Sequence, residues 1–311
     1  MPVRVSVVVR TRNRPEFVRR ALADIAAQHF DDYEVIVVDD GDTTDLVERI
    51  VRESDIARIR VIRTEEPRGR CRAANAGIRA AEGEFVVLHD DDDRWHPDFL
   101  ARTVERLDVD TEAAGVMTST AIVYERRDGV RWREVDRVPF WDGMQRISLS
   151  QLLEINRAVP ISFLYRRRLH DELGGYDESL DAVEDWEFYL RVLPRHPIAF
   201  LAGEPLAYWV QRPDATDAEA NSTVGLAHEH ERDDLVVRDR ELAAWVRGNG
   251  LGLPLYLAQL ERQIVDRLSE RMQQTVRDEV RRIVGEELDA RAPIGRRWRR
   301  WRSGGRRNDR S

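Results

Sequence analysis

The stretch EFVVLHDDDDRWHPDFL, Glu84 to Leu100, sets four consecutive aspartates directly after a run of strand-forming apolar residues. Adjacent carboxylates repel one another unless a cation or a donor-rich ligand lies between them. A short continuous apolar run reads as a strand buried on both faces, and such strands belong to parallel sheets covered by helices. The four acids therefore stand at the end of a buried strand.

Upstream of it the chain alternates. RVSVVV (Arg4 to Val9) reads as a buried strand, followed by a helix near Pro15 with Asn13 as its cap and Phe17, Val18, Leu22 and Ile25 as its apolar face. YEVIVVDD is a second apolar strand ending in Asp39 and Asp40. TTDLVERIVRES is helical, RIRVIRT a short strand, and CRAANAGIRAAEG an alanine-rich helix closed by Gly83. The alternation predicts an α/β fold, a mostly parallel sheet flanked by helices. In such sheets ligands bind beyond the carboxyl ends of the strands. Two strands deliver acids to that rim, Asp39-Asp40 and Asp90 to Asp93.

From about Ala113 to Phe200 the pattern is mixed. AAGVMTSTAIVYE and VRWREVDRV alternate like antiparallel strands, while SLSQLLEIN and EDWEFYLRVLPRH are helical. Beyond Ala220 the chain turns helical, and Leu257, Leu260, Ile264, Leu268, Met272, Val276, Val280 and Ile283 recur three or four apart as one amphipathic stripe. The expected organisation is an α/β domain over 1–220, a C-terminal helical extension over 221–290, and a basic Arg/Trp tail over 291–311 without fixed structure.

A chain of 311 residues, 42% hydrophobic, can bury a sizeable core. Its net charge of −8 argues against nucleic acid as a partner. All 50 basic residues are arginine, and the tail RAPIGRRWRRWRSGGRRNDRS concentrates nine of them around Trp298 and Trp301. That composition suits docking on an anionic membrane surface, against the alternative of a solvated tail. The stripe before it suits a homodimeric coiled coil. A lone cysteine, Cys71, excludes an internal disulfide and fits a reducing compartment. The opening residues lack a signal-peptide pattern, and no window nears the ~20 apolar residues of a membrane span. The expected location is cytoplasmic, with membrane association at the inner face. Without lysine there is no phosphate-loop ATPase motif, and no Gly-x-Ser-x-Gly elbow is present.

Four segments together resemble the inverting glycosyltransferases of family 2, with the nucleotide-diphospho-sugar transferase (GT-A) fold. They are VSVVVRTRNRPEFVRRAL, YEVIVVDDGDTTD, GRCRAANAGIRAAEGEFVVLHDDDDRWHPDFL and ELGGYDESLDAVEDWEFYLRV. The resemblance implies a Rossmann-like sheet and transfer of a sugar from a nucleotide-diphosphate donor to a hydroxyl acceptor, a glycan or lipid-linked chain of the cell surface. It implies Mn2+ or Mg2+ held by Asp90 and Asp92, since hard cations bridging a diphosphate prefer carboxylates. It places Thr11, Arg12, Asp40, Arg70, Arg72, Asp90 and Asp91 around the nucleotide sugar. Asp185 becomes the base that takes the acceptor's proton, with Glu184 before it and Trp186 as part of the acceptor wall. The double glycine of GGYDESL supplies the backbone freedom of a loop over the sugar.

Simpler roles exist for most of these residues. Asp90 to Asp93 can solvate a loop or cap the helix after Pro97, Asp40 can serve a turn, and Glu184-Asp185 can be first-turn acids of a helix. The chain also departs from the family at Arg10, where proline is usual, at Arg12, often tyrosine, and at Ala74, often arginine. HEHER (His228 to Arg232) reads as a solvated helix, because its two histidines do not share a face. The rival functions are a nucleotidyltransferase of similar fold, which needs a glycine-rich phosphate loop and a lysine, and an inactive sugar-nucleotide-binding or scaffold protein.

Overall fold

The structure, a computed structural model, describes residues 3–41, 44–64, 69–129, 131–215, 221 and 227–291. The tail from residue 292 lies outside the described residues. The chain divides into two units, one running to Arg238 and one beginning at Asp239.

The first unit opens with the expected alternation: β1 (Val5–Thr11), α1 (Pro15–Ala26), β2 (Tyr33–Asp39), α2 (Thr44–Arg52), β3 (Ile59–Arg63), α3 (Arg70–Ala80) and β4 (Phe85–Asp90). Both faces of these strands are apolar, so both must be covered. Val5, Val7 and Val9 pack with α1 and α2 through Val18, Leu22 and Ile50. Val8, Ile36, Val38 and Leu88 pack on the other face with α3 through Ala74 and Ile78.

After β5 (Arg94–Trp95) and α4 (Phe99–Val109), the mixed region resolves into two sheets. Its elements are β6 (Gly115–Thr118), β7 (Thr120–Asp128), β8 (Arg131–Pro139), α5 (Leu149–Glu154), β9 (Phe163–Arg166), α6 (Arg168–Leu173), α7 (Glu184–Val192), β10 (Ile198–Leu201) and β11 (Ala207–Gln211). The main sheet has seven strands in the order β10-β6-β9-β4-β1-β2-β3. Only β9 runs against its neighbours β4 and β6. The second sheet, β5-β11-β7-β8, holds the antiparallel hairpin β7–β8. Register sets the rim: Arg10 lies opposite Asp90, and Thr11 opposite Asp39.

Two local readings change. Asn13 does not cap α1; the N-cap is Arg14 with no side-chain bond, and Asn13 takes the left-handed conformation at φ 58°. Nor does Gly83 end α3, whose C-cap is the extended Ala81. At Gly83 a Cβ would lie 2.7 Å from the Ser6 nitrogen, so the glycine permits a close approach to β1.

Helix α8 (Ala227–Asn249) begins in the first unit and α9 (Gly252–Arg291) lies in the second. Between residues 239 and 287 no described side chain is buried. Among the described residues no helix is long and apolar enough to cross a membrane.

Candidate active site

Beyond the carboxyl ends of β1, β2 and β4 lies a cleft of about 630 Å³. Thr11, Arg12, Asp40, Arg70, Asp90, Asp92, Glu184 and Asp185 all line it. Three expected site residues do not. Asp91 is fully buried beneath the rim, Arg72 points to Glu178 at 3.3 Å, and Trp186 is sealed in the core at 2% exposure with its ring N–H donating to the Leu152 carbonyl at 2.6 Å.

Arginine governs one side of the cleft. Arg10, a charge inside an apolar strand, needs carboxylate partners to be buried. Its guanidinium donates to Asp90 Oδ1 at 2.5 and 3.0 Å and to Glu184 Oε1 at 2.9 Å. Arg70 Nε lies 3.0 Å from the same Glu184 oxygen. Burial pushes the Glu184 carboxyl up, but Arg70 and Arg10 outweigh it and hold the group below its ordinary range. The same contest, with Arg10 and Arg70 prevailing, holds Asp90 low. Through Glu184 and Arg10, the first turn of α7 is tied to the end of β4.

The next two acids are fixed differently. Arg14 grips both Asp91 oxygens, one at 3.2 Å from its Nε, and reaches Asp92 at 3.4 Å. Burial and the neighbouring Asp92 charge still push the Asp91 carboxyl up to about 7 against Arg14. Asp92 Oδ2 accepts from Arg212 at 3.1 Å and from Asn221 at 3.1 Å. Arg212 is fully buried and also bonds Glu125 at 3.2 Å. Asp93 accepts the Val210 amide at 2.8 Å, which pins β11 to the rim.

These pairings leave Asp90 Oδ2, with Arg70 no nearer than 4.0 Å, and Asp92 Oδ1 without a hydrogen bond among the described residues. Among the described residues no three His, Cys, Asp or Glu side chains converge to hold a metal. One oxygen from each of two carboxylates suits a hard divalent ion that takes its remaining ligands from substrate phosphates and water. The residues present fit such an ion.

Asp40 lines the cleft, and its oxygens accept from Thr64 Oγ1 at 2.7 Å and the Gly69 amide at 2.8 Å. It thereby fastens the start of α3 to the end of β2.

Asp185 sits in the first turn of α7, reached through Val183 at φ 56°. A β-branched residue is strained in that conformation, and strain of this kind collects at functional sites. The Asp185 carboxylate accepts from Asn156 Nδ2 at 3.0 Å and the Trp186 amide at 2.8 Å. Burial first, then the adjacent Glu184 charge, pushes its carboxyl up to about 7. A carboxyl that titrates near neutrality in a cleft is suited to proton transfer.

The loop containing Gly174 and Gly175 is anchored on α3. Gly174 has φ 84°, and a Cβ on Gly175 would meet Asn75 Oδ1 at 2.6 Å. Asn75 bonds both the amide and the carbonyl of Tyr176. The solvated reading of HEHER holds for the exposed His228, Glu231 and Arg232 but not for Glu229 and His230. Glu229 and His230 line the cleft, because Asp233 accepts the Asp181 and Ala182 amides and Val237 is buried. Burial and Arg70 push the His230 imidazole down.

Sequence reasoning missed Arg14, Arg212, Asn156 and Asn221 as site residues. It noticed Arg10 only as a departure, although a charge inside a buried strand is itself a signal for a partner. The others gave none.

Residues 6–174 match the model of glycosyl transferase family 2. An uncharacterized glycosyltransferase, YwdF of Bacillus subtilis (strain 168), is 32% identical over 192 residues, 61% of this chain and 68% of that protein. The putative colanic acid biosynthesis glycosyl transferase WcaA of Escherichia coli (strain K12) is 32% identical over 208 residues, 65% of this chain and 68% of its own. The crystal structure of S. aureus TarS 1-349 in complex with UDP-GlcNAc is alike in fold, with a TM-score of 0.52 at 24% identity over 70% of this chain and 61% of that one.

Proposed function

The chain belongs to glycosyl transferase family 2, and on that premise we propose that it moves a sugar from a nucleotide-diphosphate donor to a hydroxyl of a cell-surface glycan, inverting the anomeric centre. The observation that carries this reading is Asp185, a carboxyl raised to about 7 in the same cleft as Asp90 and Asp92. Asp185 takes the proton of the acceptor hydroxyl as its oxygen attacks the anomeric carbon, and the bond from that carbon to the diphosphate oxygen breaks on the opposite side. Asn156 and the Trp186 amide aim the carboxylate. Thr11, Arg12 and Asp40 border the nucleoside, and Arg70 faces the diphosphate. Glu184 holds Arg10 and Arg70 in place between the two halves of the reaction. Asp90 and Asp92 are the residues that hold Mn2+ or Mg2+, whose chemistry is to neutralise charge on the departing diphosphate. Asp91 supports them from below through Arg14.

The relatives' names support a role in polysaccharide synthesis: WcaA carries colanic acid biosynthesis in its name, and ExoO of Rhizobium meliloti carries succinoglycan biosynthesis. Thermal-shift screening of UDP, GDP and dTDP and their sugar conjugates, with and without manganese, tests the reading. A bound donor raises stability by mass action; no stabilisation by any of them overturns it.

The chemistry belongs to the unit running to Arg238, since Asn221 holds Asp92 and Glu229 and His230 line the cleft, and the helical extension beyond that unit and the tail over 291–311 serve placement. Along α9 the apolar stripe is exposed, Leu268 by 59% and Met272 by 67%. Between residues 252 and 287 six arginines face seven acids, whereas a membrane-surface helix carries a basic polar face. A second copy is the partner this stripe fits, and an anionic membrane the partner of the tail. Sedimentation of the full chain, alone and with anionic vesicles, separates the two.

A further inference from the structure

The cleft has a second lining that the arginine network never touches. Phe140 and Trp141 follow the end of β8, Trp209 lies in β11, and Ile155, Val159 and Pro160 come from the segment after α5. Phe140 meets Trp209 edge-on, with centroids 5.1 Å apart and planes at 69°. Trp141 lies 5.5 Å from Phe140 at 55°. All three rings are half-buried, and Ile155 is 48% exposed.

Large aromatic faces left open inside a concave polar site are surfaces for a ligand, since each ring would gain by full burial. Two details define that ligand. Asn156 and Asp185 line the same cleft beside these rings, so the occupant has to bring hydroxyls as well as apolar faces. Arg157 stacks 4.3 Å above Trp141 and pairs with Glu154 at 2.6 Å, so among the described residues this wall offers an anionic chain no unpaired cation.

We propose that Phe140, Trp141 and Trp209 form the acceptor subsite, and that the acceptor is a neutral pyranose glycan. A pyranose ring has an apolar C–H face that stacks on an indole and an equator of hydroxyls that accept and donate. A polyol-phosphate chain fits the charge poorly, and a lipid tail leaves the polar groups of Asn156 and Asp185 unanswered. The subsite adjoins the base, because Asn156, bonded to Asp185, stands next to Ile155 in the chain. The inference rests on Asp185 being on the acceptor side, but not on Asp185 being the base.

Saturation-transfer NMR on the full-length Asp185→Asn protein, with a nucleoside diphosphate present, separates the two ideas. The probes are maltotriose, cellotriose, chitotriose and a glycerol-phosphate trimer. At least one trisaccharide is expected to bind through its ring protons, about tenfold more weakly in Trp209→Ala and Trp141→Ala, with most affinity kept in Trp209→Phe and nucleotide affinity constant in all three. The proposal is overturned if no trisaccharide binds, if binding survives both alanine variants, or if the glycerol-phosphate trimer binds instead. Loss of nucleotide affinity alongside glycan affinity overturns it as well. Failure of the base assignment shows separately, as transfer retained by Asp185→Asn.

Discussion

The two sides of the cleft solve opposite problems. On the side proposed for the nucleotide, Asp90, Asp91 and Asp92 are crowded together and paired with Arg10, Arg14, Arg70 and Arg212. On the side proposed for the acceptor, Asp185 has no cation in bonding reach among the described residues, only the amides of Asn156 and Trp186. The consequence is visible in their protonation: Asp90 is held low, while Asp185 is pushed up to about 7. Guanidinium partners keep Asp90 charged at the rim and are missing from Asp185, the proposed base, whereas Asp91, sealed beneath the rim, is raised to about 7 by burial even with Arg14 on it.

The largest effect should come from breaking the acceptor side. Asp185→Asn is expected to lower kcat on the order of 10³-fold while nucleotide affinity, measured by calorimetry, holds. Retained turnover would place the base elsewhere.

Next comes the support beneath the nucleotide side. Arg212→Leu leaves Asp92 and Glu125 buried with fewer partners, and breaking a buried ion pair costs about 3 kcal/mol or more. Urea denaturation reads this directly; an unchanged midpoint means the network adds nothing to stability.

Smaller again is the effect on the ion. Asp92→Asn is expected to weaken manganese-dependent nucleotide binding by about 10- to 100-fold, and a chelator is expected to remove the manganese-dependent part in the unsubstituted protein. Equal binding with and without manganese contradicts the assignment of Asp90 and Asp92.

The finest test sharpens the contrast through pH. As the proposed base, Asp185 has to be ionised, so turnover is expected to fall as pH drops below about 7. The Asn156 bond stabilises its charged form. Asn156→Ala should therefore raise the pKa further and move the acid limb of kcat/KM upward by about one unit, since such a bond is worth ~1.5 kcal/mol and one unit is 1.36 kcal/mol. A limb that stays put or moves down contradicts the aiming role of Asn156.

Much of the nucleotide side was legible in advance. Asp90 and Asp92 could be placed on the rim because a strand's apolar run ends where its acids begin, and strand ends in such sheets face the ligand. The acceptor side was harder to read. Trp186 follows Asp185 in the chain and was expected to form the acceptor wall, yet successive residues on a helix point about 100° apart. Once Asp185 faces the cleft, Trp186 turns into the core and bonds Leu152. HEHER looked solvated because its spacing was judged on an isolated helix. Val237 and Asp233, further along α8, are what bring Glu229 and His230 to the cleft.

By itself the sequence determined the alternation of strands and helices, the acids at the strand ends, and the order of segments that marks the family. All of these follow from periodicity and from neighbours along the chain. Only the tertiary structure decided which cation answers which acid, as Arg10 does for Asp90 across 80 positions and Arg212 for Asp92 across 120. It alone chose Trp141 and Trp209 over Trp186 to face the cleft. The physical reason is that charge pairing and exposure depend on distance in space, which register and packing set after the local elements have formed.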